Sequence, residues 1–413
     1  MKRISFFYFT SLFSIFILGS NIVSAQQWKP LGPDTVPALI RPKDNSLSFA
    51  SGIGRVSMLR VEPGKIKKGE EPILYLGSPY GGLWQKKYSD TKWKSAGTDK
   101  LMHIGISDLA IHPKQTKIRY IVTGDPDCIM DPNGPALSSE FCQSRGIVKS
   151  VDCGETWSDT AIGKWFDHLG VYQKDFWKFP SRKIARKLLI DSKQPECLNT
   201  VIHTYNSATK SYDGMIFRTE DGGANWQTSL FVRNGFLKDL EYKPGSVKVM
   251  YTSGRGVYKS IDKGKTWFHL NSNGLPQDTL VKRIEIATAP SDPSLIYALV
   301  IYENSRNSDI YLSSDEGESF VRIVSALASP EWRTAIAVDS KNSSLVYFSA
   351  GNRVHRLYKR DSGWRQEYTG GFIHDAVHDL TFPAEGNKLY ASTDGGLFAS
   401  QDSGKSWTDL RAG

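Results

Sequence analysis

The sequence predicts an all-β protein, a single seven-bladed β-propeller of four-stranded antiparallel blades, and three observations predict it. An eight-residue pattern, Ser/Thr-x-Asp-x-Gly-x-Thr/Ser/Asn-Trp/Phe, recurs along the chain. Its copies are spaced by roughly the length of one four-stranded sheet, about 40–50 residues. Between copies the chain breaks into short segments rich in Val, Ile, Tyr and Phe, separated by Gly, Asp, Asn and Pro, which is strand-and-turn chemistry.

The first residues set the compartment. Lys2 and Arg3 precede an apolar run from Ile4 to Gly19, and Val23-Ser24-Ala25 supplies a small-x-small cleavage pattern. This is the layout of a secretory signal peptide over residues 1–25, cleaved near Ala25. The run is shorter than the ~20 apolar residues of a spanning helix and is interrupted by Ser and Thr. The mature chain is therefore expected to be secreted, periplasmic or on the cell surface, with no transmembrane segment, and monomeric. The formal charge of +9 comes without a Lys/Arg block or nucleic-acid motif, so it reads as a solvated basic surface and not as a nucleic-acid interface.

The repeats follow in order. Intact copies are Ser150–Trp157, Thr219–Trp226, Ser260–Trp267, Ser313–Phe320 and Ser400–Trp407, and worn copies are Tyr88–Trp93 and Lys359–Trp364. The closing aromatics stand at 93, 157, 226, 267, 320, 364 and 407. Four of the six intervals run from 41 to 53 residues and fit one blade each, whereas the first two, of 64 and 69, locate insertions. The last blade reads as strands His378–Phe382, Lys388–Ser392, Gly396–Ser400 and Trp407–Leu410. Blade four reads as Leu237–Tyr242, Val249–Thr252, Gly256–Ile261 and Thr266–Leu270. Seven blades closed as a ring protect edge strands that an open array would expose. One propeller is thus expected over 26–413, with insertions at 124–145 and 158–184.

These motifs are similar to the Asp boxes, or BNR repeats, of sialidases, sortilin-type propellers, tandem-propeller xyloglucan hydrolases and photosystem II assembly propellers. The resemblance covers essentially all of Gln26–Gly413. It implies that each box is the turn between a blade's third and fourth strands. Asp152, Asp221, Asp262, Asp315 or Asp402 then accepts hydrogen bonds, the Gly supplies φ > 0, and the Trp or Phe packs between sheets. It implies much less about function, since the frame carries hydrolases, receptors and assembly factors.

Departures from the enzymes of this group argue against catalysis. The Arg-Ile-Pro tripeptide of sialidases is missing, and no arginine triad can be assigned. Where the first blade of the xyloglucan hydrolases has a catalytic Asp, this chain has Pro79 in Tyr75-Leu76-Gly77-Ser78-Pro79-Tyr80-Gly81-Gly82. Glycoside hydrolysis generally needs two carboxylates flanking one bond. No H-E-x-x-H or G-x-S-x-G motif occurs, so no catalytic residue, metal or cofactor is assigned. Asp125, Asp127 and Asp131 form either a polar turn cluster, the favoured reading, or a set of oxygen ligands for Ca²⁺.

Second-to-third-strand loops and blade links share the face on which propellers usually bind, and both insertions reach it. The second carries Trp165, Phe166, His168, Tyr172 and Trp177 among other rings. These rings read either as a satellite core or as a platform for a glycan or a partner protein at the cell envelope. The function expected is a non-catalytic binding or assembly propeller, the alternative a glycoside hydrolase of xyloglucanase or sialidase type. Arg55, Arg186, Lys238, Arg283 and Arg333, where inner strands begin, read as solvated charges or as a ring at the channel mouth. The four cysteines fit two disulfides in an oxidising compartment. Cys128 and Cys142 bracket one insertion tip. Cys153 lies in the box of blade two and Cys197 in a turn of blade three on the same face. The expected pairs are Cys128–Cys142 and Cys153–Cys197.

Overall fold

Seven sheets, each made of four consecutive strands in simple up-and-down order, succeed one another along the chain. The structure is a computed structural model. It describes residues 54–63, 71–101, 105–127, 144–166 and 183–410, apart from 207, 210, 271–272, 304, 306, 329–332, 351–352, 362, 372, 375 and 384–387. Blade one holds Met58–Val61, Ile73–Ser78, Gly82–Lys87 and Lys94–Ser95. Blades two to seven occupy 106–159, 183–232, 239–269, 281–328, 336–368 and 377–409. The only helical pieces among the described residues are short 3-10 turns such as Thr98–Lys100, Ala161–Phe166 and Asp278–Leu280.

The sequence pattern placed the strands well. In the last blade they span Val377–Thr381, Leu389–Thr393, Gly396–Ser400 and Thr408–Asp409, within one or two residues of expectation. The alternation of each strand turns one side chain in two toward a neighbouring sheet. Apolar layers therefore lie between consecutive blades. Val122 and Ile147 of blade two meet Ile202 and Met215 of blade three, and Leu59 and Leu74 of blade one meet Tyr390 and Leu397 of blade seven. Burying a Leu or Ile side chain contributes about 1.5–3 kcal/mol, so these layers are the main cohesive force between blades.

The five intact boxes fold alike. The Asp Oδ1 accepts from the first residue's hydroxyl, at 2.8 Å for Ser150–Asp152 and 2.9 Å for Ser400–Asp402, and from the backbone N–H four residues on. The Gly N–H donates back to the same hydroxyl at 2.8 Å in both boxes. The residue before that Gly and the Gly itself both take positive φ, 65° and 91° for Cys153 and Gly154. Two successive left-handed residues explain the Gly, because a Cβ resists that conformation.

Each box rests on the blade before it. The Tyr120 hydroxyl of blade two donates to the Gly222 carbonyl of blade three's box at 3.3 Å, and Tyr251 donates to Glu316 in the same way at 3.1 Å. Tyr75, Tyr120, Tyr251, Tyr297, Tyr347 and Tyr390 hold equivalent places in second strands, all fully buried. Blade three has Asn199 there, and its amide donates to Lys263 in the box of blade four at 3.4 Å.

This lean corrects the disulfide expectation. Cys153 sits in a box that faces back to blade one, where Gly154 packs against Gly97. Cys197 sits in the turn of blade three that meets the box of blade four through Asp191 and Lys263, 2.9 Å apart. The two cysteines belong to different blade interfaces, and both are free thiols, Cys153 exposed and Cys197 buried. Cys128 and Cys142 lie outside the described residues.

Among the described residues, the ring closes without exchanging a strand. Val56 N–H donates to the Thr393 carbonyl at 2.9 Å, Trp93 Nε1 to Leu410 at 3.1 Å, and Lys388 lies over the Tyr88 ring.

Candidate functional site

First strands of neighbouring blades pack against one another, so they are innermost and line the channel. Three of them carry the same dipeptide, Asp108-Leu109, Asp239-Leu240 and Asp379-Leu380. Each Asp accepts a backbone N–H from the first strand of the next blade: Leu188 at 2.9 Å, Ile286 at 3.2 Å and Leu59 at 3.4 Å. Arg60 ties two of these carboxylates together, at 2.7 Å to Asp108 and 3.0 Å to Asp379. Burial pushes the Asp379 carboxyl up, but Arg60 and Lys187 hold it below its ordinary value. Glu241 accepts from the Thr288 N–H at 2.9 Å and hydroxyl at 3.0 Å. Burial, helped by the neighbouring Asp239, pushes the Glu241 carboxyl up to about 7.

The mouth, at the start of these strands, is where charges from six blades and the first insertion converge. Arg55 of blade one's entry meets Asp125 at 2.9 Å and Asp127 at 2.5 Å. Arg186 of blade three donates to the Pro126 carbonyl and pairs with Asp127 at 3.2 Å. His378 of blade seven stands between two carboxylates, Nδ1 at 2.6 Å from Asp127 and Nε2 at 2.7 Å from Asp394. Arg333 reaches Asp394 at 2.7 Å. Tyr80 donates to Asp125 at 3.0 Å. Lys238 and Arg283, from blades four and five, share Glu285 at 2.6 and 3.5 Å and the hydroxyl of Thr334.

These contacts fix the protonation chemistry. Burial alone raises the Asp127 carboxyl, yet Arg55, His378 and Arg186 hold it well below the usual carboxylate range. Asp394 is likewise raised by burial and brought below its ordinary value by His378, Arg333 and Arg55. Burial lowers Lys238 and Arg283, and Arg186 adds its repulsion to both. Burial raises Glu285 against the pull of these two cations. His203, pushed down to about 3 by burial and by Arg186, is a neutral ring stacked on Phe236 at 4.3 Å.

The five cations read from the sequence are thus brought to one mouth, where three of them are buried and Arg333 stays exposed. Arg186, Lys238 and Arg283 have side chains only 6%, 5% and 2% exposed, and all five pair with carboxylates. Asp125 and Asp127 are held by guanidinium groups; Asp131 lies outside the described residues. Among the described residues no cluster of His, Cys, Asp and Glu is arranged to hold a metal ion. The segment Ala161–Phe166, a 3-10 turn directly after blade two, contains Trp165 and Phe166. His168, Tyr172 and Trp177 lie outside the described residues. Sequence reading missed Tyr80, Glu285, Thr334, His378 and Asp394. The repeated Asp-Leu of the first strands is the signal that would have pointed to the channel lining.

Comparison with known proteins bears on the fold. The family model for Sortilin-Vps10 (sortilin, neurotensin receptor 3) matches residues 214–365, from the third strand of blade three into blade six. No curated protein matches the chain. Among solved structures, an ancestral GH74 enzyme is similar at a TM-score of 0.62 and 14% identity, with 87% of this chain and 47% of that one covered. Niastella koreensis GH74 is similar at 0.58 and 16%, with 86% and 54% covered. The chain therefore spans about half the length of these two enzymes. YCF48 bound to D1 peptide is similar at 0.50 and 13%, with 84% and 93% covered. Among the described residues no helix is long and apolar enough to cross a membrane. The protein is a seven-bladed β-propeller whose central and later blades resemble the sortilin family.

Proposed function

We propose that this protein is a non-catalytic binding propeller that works outside the cytoplasm, delivered by the leader at 1–25. It recognises a protein or glycan partner through the face that holds the channel mouth and the insertions 124–145 and 158–184. One observation carries the reading: the carboxylates of the mouth are consumed by ion pairs. Asp127 and Asp394 are held too acidic to donate a proton near neutrality, and Glu285, 3% exposed, is bonded to Lys238 and Arg283. A glycosidase instead needs one carboxyl kept protonated and a second facing the same bond. At the position of the expected Asp the chain has Pro79, and its neighbour Tyr80 is 55% exposed. Trp165, Phe166, His168, Tyr172 and Trp177 supply the apolar contact area of the docking face, since rings give large contact at little rotamer cost.

The test is retention of an envelope partner by the immobilised protein. Trp165→Ala and Trp177→Ala should melt like the parent and lose retention about thirtyfold, as truncated hot spots typically do. Unchanged retention by both variants would remove the rings from the site. The hydrolase alternative has one observation in its favour, the Glu241 carboxyl near 7 beside Asp239. Turnover of xyloglucan oligosaccharides or sialosides that disappears in Glu241→Gln would establish it. We expect no turnover.

A further inference from the structure

The stem of the first insertion gives the mouth's cations what an acidic ligand would give them. Asp125, Pro126 and Asp127 present two carboxylates and the carbonyl between them to Arg55, Arg186 and His378, which come from three different blades. Gly124 is the last residue of the stem bonded backbone to backbone, its N–H donating to the Gly105 carbonyl at 2.7 Å. Beyond it, the Asp127 N–H turns to the side chain of Asp125 at 2.9 Å. Every bond from Asp125, Pro126 and Asp127 to the propeller, among the described residues, runs through a side chain of the mouth. None is a backbone bond of a sheet.

The cradle also has capacity left. Arg186 is buried, yet its Nε finds no hydrogen-bond partner among the described residues, so part of its fork is unused. Among the described residues, five cations (Arg55, Arg186, Lys238, Arg283 and Arg333) pair with four carboxylates (Asp125, Asp127, Glu285 and Asp394), before any charge on His378 is counted. Leaving such cations unpaired would be costly, so vacating the cradle outright is disfavoured. Replacing one pair of carboxylates by another keeps every cation paired throughout.

We propose that Asp125-Pro126-Asp127 is a resident stand-in for the ligand, and that the mouth takes an acidic peptide segment of a partner, with carboxylates two residues apart, in exchange for this stem. The inference rests on the reading that the partner docks on this face, and it adds what the mouth recognises and how it is held closed. The resident group is itself a peptide with that spacing, which is why a peptide is favoured over a uronate chain. Arg55 and Arg186 clamp the carboxylates, and His378 fixes the one shared with blade seven.

The probe is the capped pentapeptide Gly-Asp-Pro-Asp-Gly, with Gly-Asn-Pro-Asn-Gly as its uncharged control. Asp125→Asn/Asp127→Asn should bind the acidic peptide about tenfold more tightly than the parent does, a gain worth about 1.4 kcal/mol. The control should gain nothing, and adding Arg186→Met should abolish the effect. In the parent protein, the acidic peptide at saturation should speed amide hydrogen exchange at Asp125 and Asp127, and the control should not. This second measurement decides alone if the double variant does not fold. Unchanged exchange in the parent, or a folded double variant with no preference for the acidic peptide, overturns the proposal. Faster exchange with an oligogalacturonate and not with the peptide overturns the peptide assignment. A partner retained through Trp177 but indifferent to the acidic peptide defeats this inference and leaves the docking reading intact. Peptide exchange without any retained partner does the reverse.

Discussion

The two ends of the blades are built on opposite principles. On the box face, five turns repeat one hydrogen-bond pattern, with each Asp bonded inside its own octapeptide. At the mouth no two blades contribute alike, and each carboxylate is bonded to residues far away in sequence, such as Asp127 to His378. The first end is local, repeated and mostly exposed; the second is long-range, irregular and buried. Local repetition builds a frame that tolerates drift in any one copy. The mouth has no spare copy, and that is where the proposed ligand would be read.

Four changes test how sharply the two ends differ. The largest loss is expected from the box aromatics. Trp267 packs against Leu240 and Met250 between blades, and its indole donates to Ser229 at 3.2 Å. Trp267→Ala should cost about 3–5 kcal/mol in chemical denaturation, and a parent-like midpoint would mean that box rings do not hold the blades apart. Next is the ring seam. Asp379→Ala leaves Arg60 beside Asp108 alone and removes the acceptor for Leu59, so it should cost about 3 kcal/mol. A loss under 1 kcal/mol would show that the seam is held by its apolar layer instead.

The third change should stabilise. The unfolded chain ionises Glu241 near its ordinary value of about 4.3, whereas the folded chain keeps the proton to about 7. Folding stability therefore falls as pH rises between those values and levels above them. Glu241→Gln keeps an acceptor for Thr288 and removes the titration. Its melting temperature should exceed the parent's at pH 8 and approach it at pH 4; equal melting at both would refute the buried proton. The smallest effect belongs to a single box Asp. Hydrogen bonds from the Ser406 hydroxyl and N–H hold Asp402 at about 2, with the Ser400 hydroxyl adding to them. The stability it adds is present above the unfolded value of about 3.9 and is lost as pH falls toward 2. Asp402→Asn should lower the melting temperature slightly at pH 7 and not at all near pH 2.

The same contrast explains what the sequence made legible. Boxes, blade count and strand positions were readable because each depends on residues within one repeat: the side chains of Ser400, Asp402 and Ser406 and the Gly404 N–H bond to one another. The second-strand tyrosines were equally periodic and could have been read. The gathering of Arg55, Arg186, Lys238, Arg283 and Arg333 followed from blade topology. Their pairing, and the burial of Arg186, Lys238 and Arg283, did not, because both depend on partners such as Asp394 and Glu285, which no spacing rule connects to them. The Cys153–Cys197 pairing failed for a related reason. Sequence order places the two turns on one face but carries no information on which way the boxes lean.

Closure without strand exchange has a consequence for assembly of the chain. Among the described residues every blade is complete with its own fourth strand, so the emerging polypeptide can fold sheet by sheet, each step using contacts nearby in sequence. Only the meeting of 377–409 with 58–95 is left for the end, and it is a docking of finished surfaces, with Arg60, Trp93 and Lys388 as its fasteners. Such a joint can reopen without unravelling a sheet. Blades one and seven meet there through packing, an ion pair and hydrogen bonds, beside the mouth that His378 and Asp394 help to build.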